Sequence, residues 1–182
     1  MIPESDLEDL VSNSIEKIRL DEEDEIRQFQ SLGSLREAIS IAAKGTDVAG
    51  KHFSHQNRIL KSADGPAVDD LLSAADEIAA CKSFDQLLEL VEAVLRNVHG
   101  AGELHAYDTS FRIGARLGLL PEKVYLHAGT RKGAVAIGFS GKERFIDMQQ
   151  FPLPLREFKP WELESFLCIA SSELGRLAAS HA

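Results

Sequence analysis

The sequence predicts a mainly α-helical, multi-helix globular domain that can include one short β-hairpin. Along most of the chain, apolar residues recur at three- and four-residue steps, as on one face of a helix. Glycines and prolines stand where these patterns stop, which marks turns between the helices. With 182 residues, of which 44% are hydrophobic and 27% charged, the chain is long enough to bury an ordinary core.

Residues 1–30 are predicted to form an acidic helical arm, with ten acidic and three basic residues. Residues 3–29 carry apolar side chains at helical spacing, and acids occupy the first turn, where the helix dipole favours negative charge. The acidic run of residues 21–25 can divide the arm into two helices. Residues 31–182 contain no linker long enough to separate two domains, so we expect them to form a single helical domain.

The next helix is predicted to begin after Ser34, which can cap it, with Glu37 at the capping-box position and Gly45 as its end. Residues 45–66 form the main irregular stretch, with glycines and Pro66 as turn residues. Helices are then expected at about residues 67–80, 83–98 and 104–117.

The last third of the chain is less uniform. Residues 124–139 are ambiguous, because β-branched and aromatic side chains favour a short strand whereas RKGAVAI also permits a helix. The proline-rich residues 151–160 are expected to be extended. Pro160 then stands in the first turn of a strong final helix.

Charge is distributed unevenly along the chain. The net charge is −9, which counts against a protein that binds nucleic acid through overall charge alone. Residues 96–144, however, hold eight bases and four acids, a net of +4, and form the only clearly basic segment. An acidic arm and a separate anion-binding face are therefore expected.

The sequence predicts a cytoplasmic protein without a membrane partner. No basic, apolar leader opens the chain, and no apolar run approaches the roughly 18 residues that a membrane span needs. Cys81 and Cys168 lie in apolar helical patterns, which suits buried thiols in a reducing compartment.

The most specific feature is Gly100-Ala101-Gly102, which lies between two predicted helices. Glycine reaches positive φ without steric cost, and a turn that leads into a helix presents backbone N–H groups to a phosphate. Residues 98–106, with glycine, alanine, glycine and then Ala106 after three variable residues, resemble the helix-hairpin-helix (HhH) family. The resemblance implies an HhH-like segment at about residues 84–118 that contacts the nucleic-acid backbone without reading its sequence.

Basic side chains near the turn extend this prediction. Arginines follow it on the next helix, and residues 129–133 form a second candidate anion nest. A plain turn between two packed helices and an exposed basic loop are the alternatives. Glu103, directly after the turn, would repel a phosphate by roughly 1 kcal/mol at about 4 Å. The predicted phosphate contacts are Gly100, Ala101, Gly102, Arg112, Arg116, Thr130, Arg131 and Lys132.

Residues 107–119 are similar to the aspartate-bearing helix of base-excision glycosylases, in which Asp108 would be the catalytic carboxylate. Asp108 stands too close to the glycine turn for that role, and the hairpin lacks a lysine nucleophile. Pairing of Asp108 with Arg112 is expected instead. His52 and His55 lack further ligands at a metal-binding spacing. The sequence therefore favours a non-catalytic protein with no cofactor and no metal.

Two functions remain open at this point. The first is a non-catalytic, nucleic-acid-associated module that contacts backbone phosphates without sequence specificity, within a larger complex. The second is an acidic protein-interaction partner, such as an antitoxin, immunity or inhibitor protein. In that alternative the acidic N-terminal region covers a basic surface of the partner by charge complementarity.

Overall fold

The computed structural model describes residues 2–51 and 61–181, and it confirms the mainly helical fold class, with 69% helix and 3% strand. No helix in these two stretches has both the length and the apolar character needed to cross a bilayer. In chain order the elements are α1 Glu4–Gln30, α2 Leu35–Ala43, α3 Lys61–Ser73, α4 Ala75–Ala80, α5 Phe84–Leu95, α6 Glu103–Leu117, β1 Val124–Tyr125, α7 Ala128–Ala136, β2 Phe145–Ile146, α8 Pro160–Ile169 and α9 Ser171–Ser180.

The chain contacts form two compact units. The first unit combines Met1–Glu22 with Pro121–Ala182, and the second unit is Glu23–Leu120. Helix α1 contributes its N-terminal part to the first unit and its C-terminal part to the second. The contacts thus divide the chain at residues 22 and 120, whereas the predicted arm ends at residue 30. The predicted division into an arm at residues 1–30 and one domain at residues 31–182 stays a prediction.

The first unit is built around the apolar faces of α1 and α8. Its core includes Leu7, Val11, Phe151, Leu163 and Phe166, all of them buried. Helix α7 packs against both α8 and α9. Strands β1 and β2 pair in antiparallel orientation and form a two-stranded sheet, of which β1 packs against α8. The helical spacing of apolar residues at the start of the chain therefore serves this core.

In the second unit α2 and α5 pack against α6, and α3 packs against α2 and α5. Helix α6 is buried along most of its length because α2 and α5 cover two of its faces. Thr109 faces α2 and donates its hydroxyl to the carbonyl of Ala42. On the α5 side, Tyr107 packs edge-on against Phe84, with 5.8 Å between ring centroids. Such burial explains how a helix of low average hydrophobicity is held in place.

Several local predictions were corrected by the structure. Helix α1 is continuous through the acidic run, where Asp24 pairs with Arg27 and accepts from Gln28 one turn later. Pro66 lies inside α3 and so does not mark a turn. The predicted helix at residues 67–80 is divided at Ala74.

The C-terminal part brings further corrections. The final helix is divided at Ala170, directly before two serines whose side chains can compete for backbone hydrogen bonds. Residues 153–157, expected to be extended, form a 3₁₀ turn instead. The ambiguous residues 124–139 adopt both alternatives in succession, first β1 and then α7.

Candidate functional site

The glycine turn joins α5 to α6 in the second unit. Gly100 has φ +94, a left-handed conformation that favours glycine. The turn is closed by a hydrogen bond of 3.1 Å from the Ala101 N–H to the Val98 carbonyl. Gly102 is extended, with φ −104 and ψ −176, and is the N-cap residue of α6. The predicted order of helix, glycine turn and helix is therefore present.

The turn is open to solvent. Gly100 and Gly102 are exposed, and a Cβ placed on Gly102 would meet no other atom within 4 Å. Gly102 has no side chain that could accept from the amides of the first helical turn, which are unsatisfied within any α-helix. A small anion could therefore approach these N–H groups and the positive end of the α6 dipole.

Charged groups of both signs flank the turn. Arg96, at the C-cap of α5, and His99 are exposed and stand before Gly100 in the chain. Arg96 was not among the predicted contacts, although its place four residues before the first glycine could have indicated it. Glu103, the first residue of α6, is also exposed and opposes anion binding. The turn is thus an open amide site with modest electrostatic support.

Arg112 is buried in the second unit. Its side chain is 1% exposed, and its Nε donates to Glu25 Oε1 over 2.7 Å. Asp108, one turn earlier on α6, is buried as well. Arg116 is half-buried near the end of the helix. The contacts of Arg112 and Arg116 with a phosphate stay predictions. In this conformation the Arg112 guanidinium forms an ion pair with Glu25 of the same unit.

Thr130 lies in the first unit and is fully buried. Its hydroxyl donates to Glu164 Oε1 over 2.6 Å and lies 3.0 Å from His127 Nε2. His127 is also paired with Glu164, so the three side chains form a buried polar cluster that joins α7 to α8. Sequence reasoning missed His127 and Glu164, because residues 37 positions apart carry no local motif.

Most of the other residues of the second predicted anion nest, residues 129–133, also make contacts within the fold. Residues 128–136 form α7, so most of their amides bond along the helix. Gly129 and Gly133 lie against α8, where a Cβ would overlap Cys168 and the Leu167 carbonyl respectively. Arg131 donates to three backbone carbonyls of neighbouring segments. Of this group, Lys132 has an exposed side chain.

The acidic run at residues 21–25 is largely engaged inside its own units. Glu22 accepts from Ser165, and Glu25 accepts from Arg112. Asp24 is exposed but pairs within α1, and Asp21 is exposed. This arrangement leaves less free negative charge than the sequence suggested.

Metal binding finds no support in the part of the chain that the structure describes. Within residues 2–51 and 61–181, no group of three or more His, Cys, Asp or Glu side chains is arranged to hold a metal ion. His52 and His55, the histidines considered from the sequence, lie outside the described residues.

Comparison with known proteins gave no match: neither protein-family models, nor curated proteins, nor solved structures resembled the chain. The functional conclusion therefore comes from the geometry of the chain itself, and above all from the open glycine turn.

Proposed function

We propose that this protein is a non-catalytic, nucleic-acid-associated module that contacts backbone phosphates without sequence specificity, as part of a larger complex. The observation that carries the proposal is the exposed Gly100–Gly102 turn at the N-terminus of the 15-residue helix α6. A phosphate oxygen can accept from backbone amides there whatever the base sequence, because no base edge takes part in the contact.

The expected affinity of this turn alone is low. A helix N-terminus stabilises an anion by about 0.3–1 kcal/mol at an exposed position, up to about 2 kcal/mol when partly buried. The carboxylate of Glu103 offsets about 1 kcal/mol of this at short range in water. Exposed Arg96 adds to the attraction, and the exposed imidazole of His99 can donate a hydrogen bond. Useful affinity therefore requires further contacts, which agrees with a role inside a complex.

The alternative of an acidic interaction partner has weaker support from the geometry. It depends on the acidic run being presented to a partner. Glu22 and Glu25 are half-buried and bonded to Ser165 and Arg112. We therefore retain the phosphate-binding function as the conclusion.

Fluorescence polarisation with labelled duplex and single-stranded oligonucleotides at about 50 mM salt tests the proposal. In Gly102→Asp, the new carboxylate can cap α6, so the variant should be as stable as the wild type or more stable by about a few tenths of a kcal/mol. The same carboxylate occupies the amides and repels phosphate, so affinity should fall at least tenfold.

Gly102→Ala is the matched control. Its Cβ enters open space and leaves the amides accessible, so binding should stay within about twofold of the wild type. A wild-type protein that binds no duplex and no single strand contradicts the function. Binding that Gly102→Asp leaves unchanged contradicts the assignment of the turn as its site.

A further inference from the structure

A second basic surface lies in the first unit, around the paired strands. We call it the basic hairpin and define it as residues 123–126 and 138–146. Val124 pairs with Ile146 and Tyr125 with Phe145, and the Leu126 N–H donates to the Arg144 carbonyl over 2.9 Å. Neighbouring strands lie about 4.8 Å apart. The side chains on the two strands are therefore close together, although they are about twenty positions apart in the chain.

Arg131 stabilises the basic hairpin by hydrogen bonds to its backbone. Its Nη1 donates to the carbonyls of Gly141 and Glu143 over 2.6 and 3.0 Å, and its Nη2 donates to the Leu126 carbonyl over 2.7 Å. These bonds fix the loop at residues 138–144 against α7 and β1. Arg131, whose contact with a phosphate stays a prediction, thus also stabilises the backbone around it.

The hairpin presents cations beside an aromatic ring. Lys142 and Arg144 are exposed, and Lys123 Nζ lies 4.2 Å from the ring centroid of Phe145. Phe145 as a whole residue is 38% exposed. Exposed Lys132 follows Arg131 on α7. Positive charge next to an accessible aromatic face is the combination that proteins use for unpaired nucleotides.

Acidic residues reduce the charge of this region without reversing it. Residues 122–147 contain five bases and three acids, a net of +2 in a chain of net −9. Glu143 is turned into its own loop, where backbone N–H groups and the Ser140 hydroxyl bond to it and lower the pKa of its carboxyl. Glu122 and Asp147 are exposed at the base of the hairpin.

We infer that the basic hairpin is a second nucleic-acid contact and that its partner is a single strand. Lys142 and Arg144 contact phosphates, and Phe145 stacks with a base whose face is accessible only outside a stacked duplex. The inference rests on the proposed function and extends it to a site in the other unit that is independent of the glycine turn.

The test compares two double variants of the whole chain. Lys142→Gln/Arg144→Gln removes two charges from the hairpin. Lys17→Gln/Arg176→Gln removes two exposed charges elsewhere in the same unit and is the control. With a labelled oligothymidine, the hairpin variant should bind about tenfold more weakly than the control. The negative slope of log affinity against log salt should become shallower by about 1.4, since each single-strand phosphate contact contributes about −0.7.

Phe145→Leu provides the second arm. It keeps the apolar contact with Tyr125 but lacks the flat ring, so affinity for the oligothymidine should fall severalfold while affinity for a duplex of equal length stays constant. Circular dichroism and urea unfolding of every variant test whether the helical fold is intact.

The results that would contradict these proposals can be distinguished from one another. If the hairpin variant binds as the control does while Gly102→Asp has lost affinity, the inference is wrong and the proposed function stands. Equal loss on duplex and single strand, with no effect of Phe145→Leu, overturns the single-strand assignment. A wild-type chain that binds neither oligonucleotide overturns both proposals together.

Discussion

The two glycine-bearing segments of this protein look alike in the sequence and differ in the structure. At residues 100–102 the glycines face solvent and precede a helix. At residues 129–133 the glycines lie inside helix α7 and allow it to approach α8 closely. The difference teaches that small residues and nearby bases do not identify an anion site by themselves.

The spacing of the glycines distinguishes the two segments. Gly129 and Gly133 are four residues apart, so in a helix they lie on one face, which suits close packing. Gly100 and Gly102 are two residues apart and cannot share a helical face. The surroundings differ as well, because Arg131 donates to backbone carbonyls beside α7 whereas Gly102 is exposed and a Cβ on it would enter open space. Three substitutions test this comparison on stability.

Arg112→Ala should have the largest effect. It leaves the half-buried Glu25 without its guanidinium partner, and breaking such a pair costs about 3–5 kcal/mol. Urea unfolding measures the loss. Replacing both residues together by Arg112→Met and Glu25→Leu should recover part of it, because the Glu25 carboxylate is removed together with its partner. An exposed ligand arginine would give a change of about 0.5 kcal/mol or less, and that result would refute the structural role.

Gly133→Ala should have the next largest effect. Its Cβ would overlap the Leu167 carbonyl, so we expect a loss of about 2–3 kcal/mol in spite of the better helix propensity of alanine. Gly102→Ala is the matched substitution in the open turn and should change stability by less than about 1 kcal/mol. Equal effects at both positions would remove the distinction between the packed and the open glycines.

Thr130→Val should have the smallest of the three effects. Valine keeps the shape but lacks the hydroxyl that donates to Glu164, so a loss of about 1.5–2 kcal/mol is expected in urea unfolding. Thr130→Ser keeps the hydroxyl and should lose less. If valine were as stable as threonine, the hydroxyl would not be needed by the buried cluster and would be available for another role.

Much of the helical architecture could be predicted from the sequence. Apolar periodicity located α2, α5 and α6 closely, and Ser34 and Ser83 are N-caps whose side chains accept from the third residue of the helix. Breaks within helices were harder to predict. The division at Ala170 and the continuity of α1 depend on tertiary contacts, which a window of local residues does not contain.

The candidate site could be predicted only in part. The order of helix, glycine turn and helix follows from the local spacing of Gly100 and Gly102. The environment of Arg112 does not, because Glu25 is 87 residues away in the chain. For the same reason the hydrogen bond between Thr130 and Glu164 could not be predicted from the local sequence. Local motifs report backbone geometry, whereas the availability of a side chain depends on distant partners.

The assignment of α1 to both units has a consequence for biosynthesis. The first unit needs residues up to Glu22 and again those from Pro121, so the whole of residues 23–120 is made in between. At 5–20 residues per second, the roughly 150 residues from Val11 to α8 take on the order of 8–30 s to make, and the apolar side chains of Leu7 and Val11 lack their partners on α8 during that time. The second unit can fold during this interval, while the N-terminal segment is a candidate for chaperone binding on the ribosome.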